Sequence, residues 1–479
     1  MWASTFPFAM QLRLFRHFVP VSVVLLASSD ALLITGAFYQ LLSAPEISVP
    51  ILLRVSSFPV QLSAGLAVAA VTAMVSVGLY GHQSFVDFRL LLSKFAVASI
   101  LVLMLVSFSA AYWRDLPDVG RFPLKATLIW LVCVAVTRGT FSVTLGRGLL
   151  KRRVLVLGNG AQAARIAKLV ETAENEHFVP ISFIGMPGER SSARSDAVDR
   201  SVSEPAALTD AALTEMVYRL GASEIVVATD DRRGLPVRQL LHCKLAGIKV
   251  IDFLDFWERE TRTIDLEALK PSWLFYSDGF RCGPLEEFLK RAFDIAVSLG
   301  LLLLTLPLLA VTACLIKLES PGPIFYHQAR VGLHGRVFTI LKFRSMRVDA
   351  ETDGRPRWAS EGDPRVTRIG AIIRKLRVDE LAQIFNVLRG DMSFVGPRPE
   401  RPFFVAELAQ AIPYYSERHW VRPGITGWAQ VNYPYGASTE DAWTKLTYDL
   451  YYVKNRSIFL DLVILLQTAR VIFWNYGAR

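Results

Sequence analysis

Cysteine is scarce in this chain: four in 479 residues, at 133, 243, 282 and 314. No two are close in sequence and no CxxC occurs, so neither a disulfide framework nor a zinc site is expected. Histidine is also sparse, at seven, and HExxH is absent, which leaves zinc hydrolysis without support. GxxxxGK[ST] is missing and so is the protein-kinase motif set, so those two routes to a bound nucleotide are excluded. No basic stripe interleaved with aromatics appears, and a nucleic-acid partner is not expected. Charged residues make up only 20% against 52% hydrophobic, too apolar for an ordinary soluble enzyme. The charge that exists is lopsided, with a formal net of +10. In a membrane protein that excess belongs to cytoplasmic flanks facing anionic lipid, or to an anionic substrate.

Long apolar runs crowd the first third, at roughly 19–43, 58–80, 94–113 and 122–146. Each approaches the roughly 20 residues that a spanning helix needs. Arg13 and Arg16 precede the first run without a clear cleavage site, so this is not read as a removable signal. The exit from the fourth run, "RGLLKRR", is strongly basic, which places the N-terminus and residue 150 onward in the cytoplasm.

The pattern then changes to alternating strands and helices. "RRVLVLGNGAQAARIAKLV" (152–170) reads as strand, glycine-rich turn and helix, and "FVPISFIGM", "ASEIVVATDD" and "LLHCKLAGIKVIDF" continue the alternation. The expectation is a Rossmann-like α/β domain over 151–262. Gly158, Gly160 and Ala163 form a GxGxxA match in the right strand-to-helix context, so NAD or another nucleotide is one reading. The second strand lacks an acid at its tip to hold a ribose, which favours a structural or regulatory domain. An oxidoreductase is disfavoured further because no Tyr-xxx-Lys pair is evident.

Residues 263–287 read as a linker, and 288–320 as a further apolar helix. Basic residues flank both of its ends, so charge gives no crossing preference. Pro307 sits in its middle, where proline removes a helix hydrogen bond. A re-entrant helix, kinked at Pro307 and returning to the face it entered, satisfies both features. Residues 321–479 then form a mixed α/β domain. Within it "GAIIRKLRVDELAQIFNVLRG" has helical amphipathic spacing, and "SIFLDLVILLQTARVIFW" (457–474) is read as an interfacial helix.

Arginines recur beside turn formers in that last domain: "KFRSM", "GDPRVTR", "VGPRPERP" and "VRPGITGWAQVN". A guanidinium held in a Pro- or Gly-fixed loop can clamp two phosphate oxygens, and several such loops suggest a polyanion such as a nucleotide diphosphate. Acids among them serve as charge balancers, carboxylate nucleophiles on phosphorus, or ligands for a phosphate-bridging Mg²⁺.

From about residue 288 onward the chain resembles the bacterial polyprenyl-phosphate hexose-1-phosphate transferases, the monotopic phosphoglycosyl transferases that start exopolysaccharide and O-antigen chains. The carrying segments are "KRAFD" (290–294), "GPIFYHQARVG" (322–332), "KFRSM" (342–346), "DELAQIFNVLRGDMSFVGPRP" (379–399), "RPGITGWAQVN" (422–432) and "YDLYYV" (448–453). Four preceding spans and a Rossmann-like domain look like the long form of that family. The resemblance implies a UDP-sugar donor, an undecaprenyl phosphate acceptor and Mg²⁺. It also implies a covalent carboxylate intermediate with release of UMP, and a place in the bacterial inner membrane with the catalytic domain facing the cytoplasm. Its product would feed downstream glycosyltransferases, and a homodimer stays open. Relatives usually carry Ser-Pro at the helix break, where this chain has Leu306-Pro307. They also carry adjacent acids after "KFR-M", where this chain has Asp349-Ala350-Glu351. The resemblance assigns Asp349 as nucleophile and Glu351 as second acid, both as metal ligands. Asp379-Glu380 is the rival pair, read mainly as phosphate-site support. Lys342, Arg344, Arg398 and Arg422 are expected on phosphate and UDP, with Gln430 and Asn432 orienting nucleotide or sugar. Asp449 is expected as a supporting acid. A non-enzymatic membrane scaffold remains the competing class.

Overall fold

The computed structural model describes residues 11–14, 16–43, 58–80, 88–112, 121–146, 152–171, 178–186, 212–280, 282–347, 365–434, 436 and 438–474. The chain divides into two units. One holds residues 1–13 and 18–261, the other residues 14–17 and 262–479.

In the first unit the four apolar runs form helices α1 (Val21–Ser43), α2 (Phe58–Val77), α3 (Phe88–Tyr112) and α4 (Phe122–Gly146). Each is long and apolar enough to cross a bilayer. Their one described acid is paired inside the bundle, as hydrocarbon demands. Asp30 of α1 is fully buried and meets Arg138 of α4 at 3.1 Å, with hydrogen bonds from Thr137 and from Tyr80.

The α/β part of the same unit is a four-stranded, all-parallel sheet. Its elements are β1 (Arg152–Leu157), α5 (Ala161–Glu171), β2 (Phe178–Ile184), α6 (Ala212–Leu220), β3 (Glu224–Val227), α7 (Val237–Leu245), β4 (Lys249–Asp252) and α8 (Phe253–Thr261). The strand order is β2-β1-β3-β4. Leu155, Leu157, Ile184 and Ile225 from the strands pack against Leu213 and Val217 of α6 and Cys243 of α7. Glu224 at the start of β3 is gripped by Arg152 at 2.8 Å and by Arg259 of α8 at 2.6 Å, so the buried charge is neutralised.

The second unit begins at Arg262, and residues 263–287 are packed rather than a tether. Trp428 Nε1 donates to Arg262 O, Ile264 N to Thr447 O, and Phe280 N to Lys454 O. This stretch includes α9 (Pro271–Tyr276). The next element, α10 (Pro284–Glu319), is one 36-residue helix that stays helical through Pro307, starting four residues before the expected position. At about 1.5 Å per residue it is roughly 54 Å long. The same unit grips both of its ends. Near the start, Lys290 bridges Asp294 and Asp461, and Arg291 donates to Val387 O and Leu388 O. Toward the end, Leu309 and Ile316 enter a core with Phe343, Ile373, Val378 and Ala382. Between these grips the outward face is bare and apolar, with Leu303, Leu304 and Leu306 exposed, and Val311 and Leu318 continue it alongside and past the second grip.

The remaining elements are β5 (Phe325–Val331) paired antiparallel with β6 (Val337–Phe343), α11 (Arg368–Lys375), a 3₁₀ helix at Val378–Gln383, and α12 (Ile384–Arg389). They are followed by β7 (Ser393–Val395), α13 (Pro402–Ala411), a second 3₁₀ helix at Tyr415–Trp420, β8 (Gly424–Thr426), α14 (Trp428–Asn432), α15 (Thr439–Asn455) and α16 (Ile458–Trp474). The β7 and β8 strands pair in parallel. Glycine is required where they meet, because a Cβ on Gly396 would strike Arg422 O and one on Gly424 would strike Gly396 N. In α16, the Asp461 seen in the late apolar run faces protein, fully buried and accepting from Tyr452 at 2.8 Å.

Candidate active site

Three separate stretches bring one group of charges together. Lys342 comes from the end of β6, Asp379 and Glu380 from the first 3₁₀ helix, and Arg398 from the loop after β7. Local chemistry sets each position. Thr367 caps α11 by accepting from Gly370 N at 2.9 Å, and α11 ends at Leu376. Arg377 then adopts a left-handed conformation (φ 55°), which turns the chain into the 3₁₀ helix. Val378 and Ala382 enter the core, leaving the acids between them on the polar side.

Glu380 is the anchor. Its Oε1 accepts from Arg398 Nη2 at 2.7 Å and from Lys342 Nζ at 3.1 Å. Burial alone would raise this carboxyl, but Arg398 and Lys342 outweigh it and hold it well below the usual carboxylate range. Asp379 is the opposite case. Burial, and then the negative Glu380 beside it, push its carboxyl up to about 6, against partial compensation from Lys342, Arg374 and Arg398. Among the described residues no ion pair holds Asp379. The arrangement is thus one committed carboxylate, one uncommitted and more basic carboxylate, and two cations. Arg398 remains about one-third exposed and can meet a ligand from outside.

The other expected residues divide. Arg344 is corrected. Its side chain is buried, and Nη1 donates to Pro321 O while Nη2 donates to Ser320 O, Ser320 Oγ and Ile316 O. It caps the last turn of α10 and has no face left for phosphate. The same stretch is pinned where Met346 bridges Val366 and Arg347 N donates to Arg365 O. Asp349 and Glu351 lie outside the described residues. Arg422 faces another neighbourhood, donating from Nε to Gly390 O at 3.2 Å and lying 3.9 Å from Glu287 at the start of α10. There it lines a small cavity with Lys290, Tyr452 and Arg456. The Gln430 amide nitrogen donates to Ile425 O, and its Oε1 is buried without a hydrogen bond among the described residues. Asn432 donates to Trp428 O. Asp449 is buried against Arg418 at 2.7 Å. Arg418 itself does not stand out in the sequence, and nothing in the spacing ties it to Asp449.

The glycine-rich turn of the α/β sheet does not fit a dinucleotide. In an open parallel sheet such a ligand lies outside the carboxyl ends of the strands at the switch point, here between β1 and β3. Asp230, just after β3, already sits there. Its Oδ2 accepts from Ala161 N at 2.7 Å and its Oδ1 from Gln162 N at 3.1 Å. Those are the N–H groups at the start of α5 that a pyrophosphate would need. Even a Cβ on Gly160 would collide with this carboxylate. Asp230 therefore competes with the reading of NAD at Gly158 and Gly160.

The profile of a family described as "Bacterial sugar transferase" matches residues 285–475, the region that contains the whole charge centre. The UDP-glucose:undecaprenyl-phosphate glucose-1-phosphate transferase of Escherichia coli K12 is 30% identical over 405 residues, covering 83% of this chain and 84% of that protein. The chain belongs to the bacterial sugar transferase family. A second member of the family, the UDP-N-acetylgalactosamine-undecaprenyl-phosphate N-acetylgalactosaminephosphotransferase of Aeromonas hydrophila, is 46% identical over 250 residues (52% of this chain, 58% of that one). The undecaprenyl-phosphate glucose phosphotransferase of Komagataeibacter xylinus is 36% identical over 336 residues (67% and 59%). The matches to these last two span under two thirds of the relatives' own length. Within this sugar transferase, Lys342, Asp379, Glu380 and Arg398 all fall inside the matched region.

Proposed function

We propose that the protein transfers a hexose 1-phosphate from a UDP-sugar to undecaprenyl phosphate, releasing UMP and forming undecaprenyl-diphosphate-sugar. The observation that carries this reading is the uncommitted carboxylate of Asp379 beside a Glu380 that Lys342 and Arg398 neutralise. Family membership and the names of the relatives support the choice of donor and acceptor class.

The chemistry proceeds in two displacements. A carboxylate oxygen attacks the β-phosphorus of the UDP-sugar, and the bond from that phosphorus to the bridging oxygen breaks, so UMP leaves with the electron pair. A phosphate oxygen of undecaprenyl phosphate then attacks the phosphorus of the acyl phosphate, and the carboxylate departs unchanged. Lys342 and Arg398 hold phosphate oxygens and stabilise the charge that develops on them. Glu380 keeps both cations in register before the substrate arrives. Among the described residues Asp379 is the acid best placed to attack, while Asp349 lies outside them. A carboxyl titrating near 6 is ionised at neutral pH yet more basic than an ordinary aspartate.

Mg²⁺ fits the proposal. Among the described residues no group of three or more His, Cys, Asp or Glu side chains could hold a metal on its own. Mg²⁺ usually takes one or two carboxylates plus substrate phosphates and keeps several waters. Asp379 offers the uncommitted carboxylate, and Asp349 and Glu351 are the further donors that the sequence suggests. Bound there, the ion would neutralise part of the diphosphate charge.

The catalytic unit is proposed to face the cytoplasm of a bacterial inner membrane, where UDP-sugars are made. Support comes from the grip of one unit on both ends of α10, which suits a helix that enters and leaves by the same face. The lipid-linked product would be extended by glycosyltransferases. The test is UMP release from membranes carrying the protein, with Mg²⁺, undecaprenyl phosphate and one UDP-sugar at a time. Lipid-dependent release that Asp379→Asn abolishes and Asp349→Asn retains is the expected result. The reverse pattern would move the nucleophile to Asp349. No release with any donor would leave a scaffold.

A further inference from the structure

Arg398 stands between Pro397 and Pro399, and every backbone carbonyl from 397 to 400 is held by a donor from elsewhere in the unit. Gly424 N donates to Pro397 O at 2.9 Å, Arg418 Nη2 to Arg398 O at 3.0 Å, Arg330 Nη1 to Pro399 O at 3.0 Å, and Val331 N to Glu400 O at 2.9 Å. Prolines fix their own φ and restrict the residue before them, so few backbone torsions remain free here. Two of the four donors are backbone N–H groups, of Gly424 at the start of β8 and Val331 at the end of β5. The clamp on Arg398 itself is different, being a side chain that the fold must hold in place. Arg418 is buried. Its Nη1 donates to Tyr415 Oη at 2.7 Å, and its Nη2 pairs with the buried Asp449 of α15 at 2.7 Å. A buried guanidinium is tolerated when paired and hydrogen-bonded; here Nη1 and Nη2 are both engaged, Nη2 also on the Arg398 carbonyl, while Nε is buried without a partner among the described residues.

We infer that Arg418, with its counter-ion Asp449, is a positioning residue that fixes the root of Arg398 so that its guanidinium meets the donor's phosphate oxygens in a set geometry. The chain of contacts runs from Asp449 through Arg418 to the Arg398 backbone, and from the Arg398 side chain to Glu380 beside Asp379. Neither Arg418 nor Asp449 touches substrate in this scheme. Preorganised donors contribute to rate because they need not reorganise as charge develops, and small misplacements cost up to about 10²-fold. The inference rests on the reading above that Arg398 binds the donor.

A double-mutant cycle tests it. Single-turnover UMP formation at saturating UDP-sugar is measured for the full-length membrane protein, for Arg418→Lys, for Arg398→Ala and for the double variant. The thermal midpoint is followed in parallel. Arg418→Lys keeps a cation against Asp449 but cannot reach Tyr415, Asp449 and the Arg398 carbonyl at once. It is expected to slow UMP formation about 10- to 100-fold. In the Arg398→Ala background the same change is expected to cost nothing further, although any loss of thermal midpoint should persist. A loss of rate equal in both backgrounds would overturn the positioning role and leave Arg418 a purely structural residue. An Arg398→Ala protein as fast as the wild type would instead overturn the donor-binding reading beneath it. Asp449→Asn, taken through the same cycle, provides the same decision if Arg418→Lys does not accumulate.

Discussion

Protonation of Asp379 should switch off the first displacement, and the size of the effect follows from its surroundings. Its carboxyl titrates near 6 because it is buried next to Glu380. The attacking form is the carboxylate, so the rate of UMP formation should track the ionised fraction. That fraction is about nine tenths at pH 7, about half at pH 6 and about one tenth at pH 5. An aspartate at the ordinary value near 3.9 would still be about nine tenths ionised at pH 5. The acid limb therefore distinguishes Asp379 from any unperturbed carboxylate by nearly tenfold at a single pH. The assay is the single-turnover burst of UMP between pH 5 and 8, at saturating UDP-sugar and fixed Mg²⁺. Glu380→Gln is the companion variant. Removing the neighbouring negative charge takes away one cause of the upward shift, so the limb should move below 6 while the maximum rate falls. The linkage sign supplies a second readout. A carboxyl raised in the folded state contributes stability that is present below its unfolded value and lost as pH rises through the folded one. Asp379→Asn should consequently melt higher than the wild type at pH 7.5, and gain nothing at pH 4. A burst that stays flat down to pH 5, or one that survives Asp379→Asn, would refute the reasoning.

Arg344→Ala should act on stability alone. It strips three backbone carbonyls and a hydroxyl at the end of α10 of their buried donor, a loss of about 2–5 kcal/mol that a thermal melt would register, with donor KM unchanged in the protein that survives. Millimolar NAD⁺ should leave the melt of the wild type unmoved, since Asp230 already occupies the α5 N-terminus; a shift of a degree or more would contradict that assignment. Single cysteines at Glu286 and Lys317, in a background without the four native ones, should both react with an impermeant maleimide from the cytoplasmic side only. Labelling from opposite sides would make α10 a true span.

Elements with strong periodicity are legible in the amino-acid sequence alone. The four apolar runs form helices, α3 starting six residues before the expected 94 and the other ends within three, because a stretch of about 20 apolar residues has few other options. The α/β alternation after residue 150 is equally plain. Legibility fails where the decisive contact is distant in sequence. "KFR" suggests that Lys342 and Arg344 share a face, as residues two apart do in a strand. The strand stops at Phe343, and Arg344 turns away to the end of α10 while Lys342 stays with Glu380. Asp379-Glu380 is visible as a pair, but its partners lie 38 and 18 residues away, and only the fold shows which acid is neutralised and which is left basic. The acid after β3 is plain in "ASEIVVATDD".

The charge centre and the membrane helix are two faces of the same short segments. Phe343 packs onto the second half of α10 while Lys342, next in the strand, points away from it toward Glu380. Val378 and Ala382 pack in the same core, and Asp379 and Glu380 between them carry the charges. Shifting either segment along α10 would therefore move the carboxylates and the lysine together. This coupling suits a reaction whose donor comes from water and whose acceptor phosphate sits at the surface of a bilayer. In the proposed reaction, a helix that leaves Leu303, Leu304 and Val311 for lipid would set the depth at which both phosphates meet.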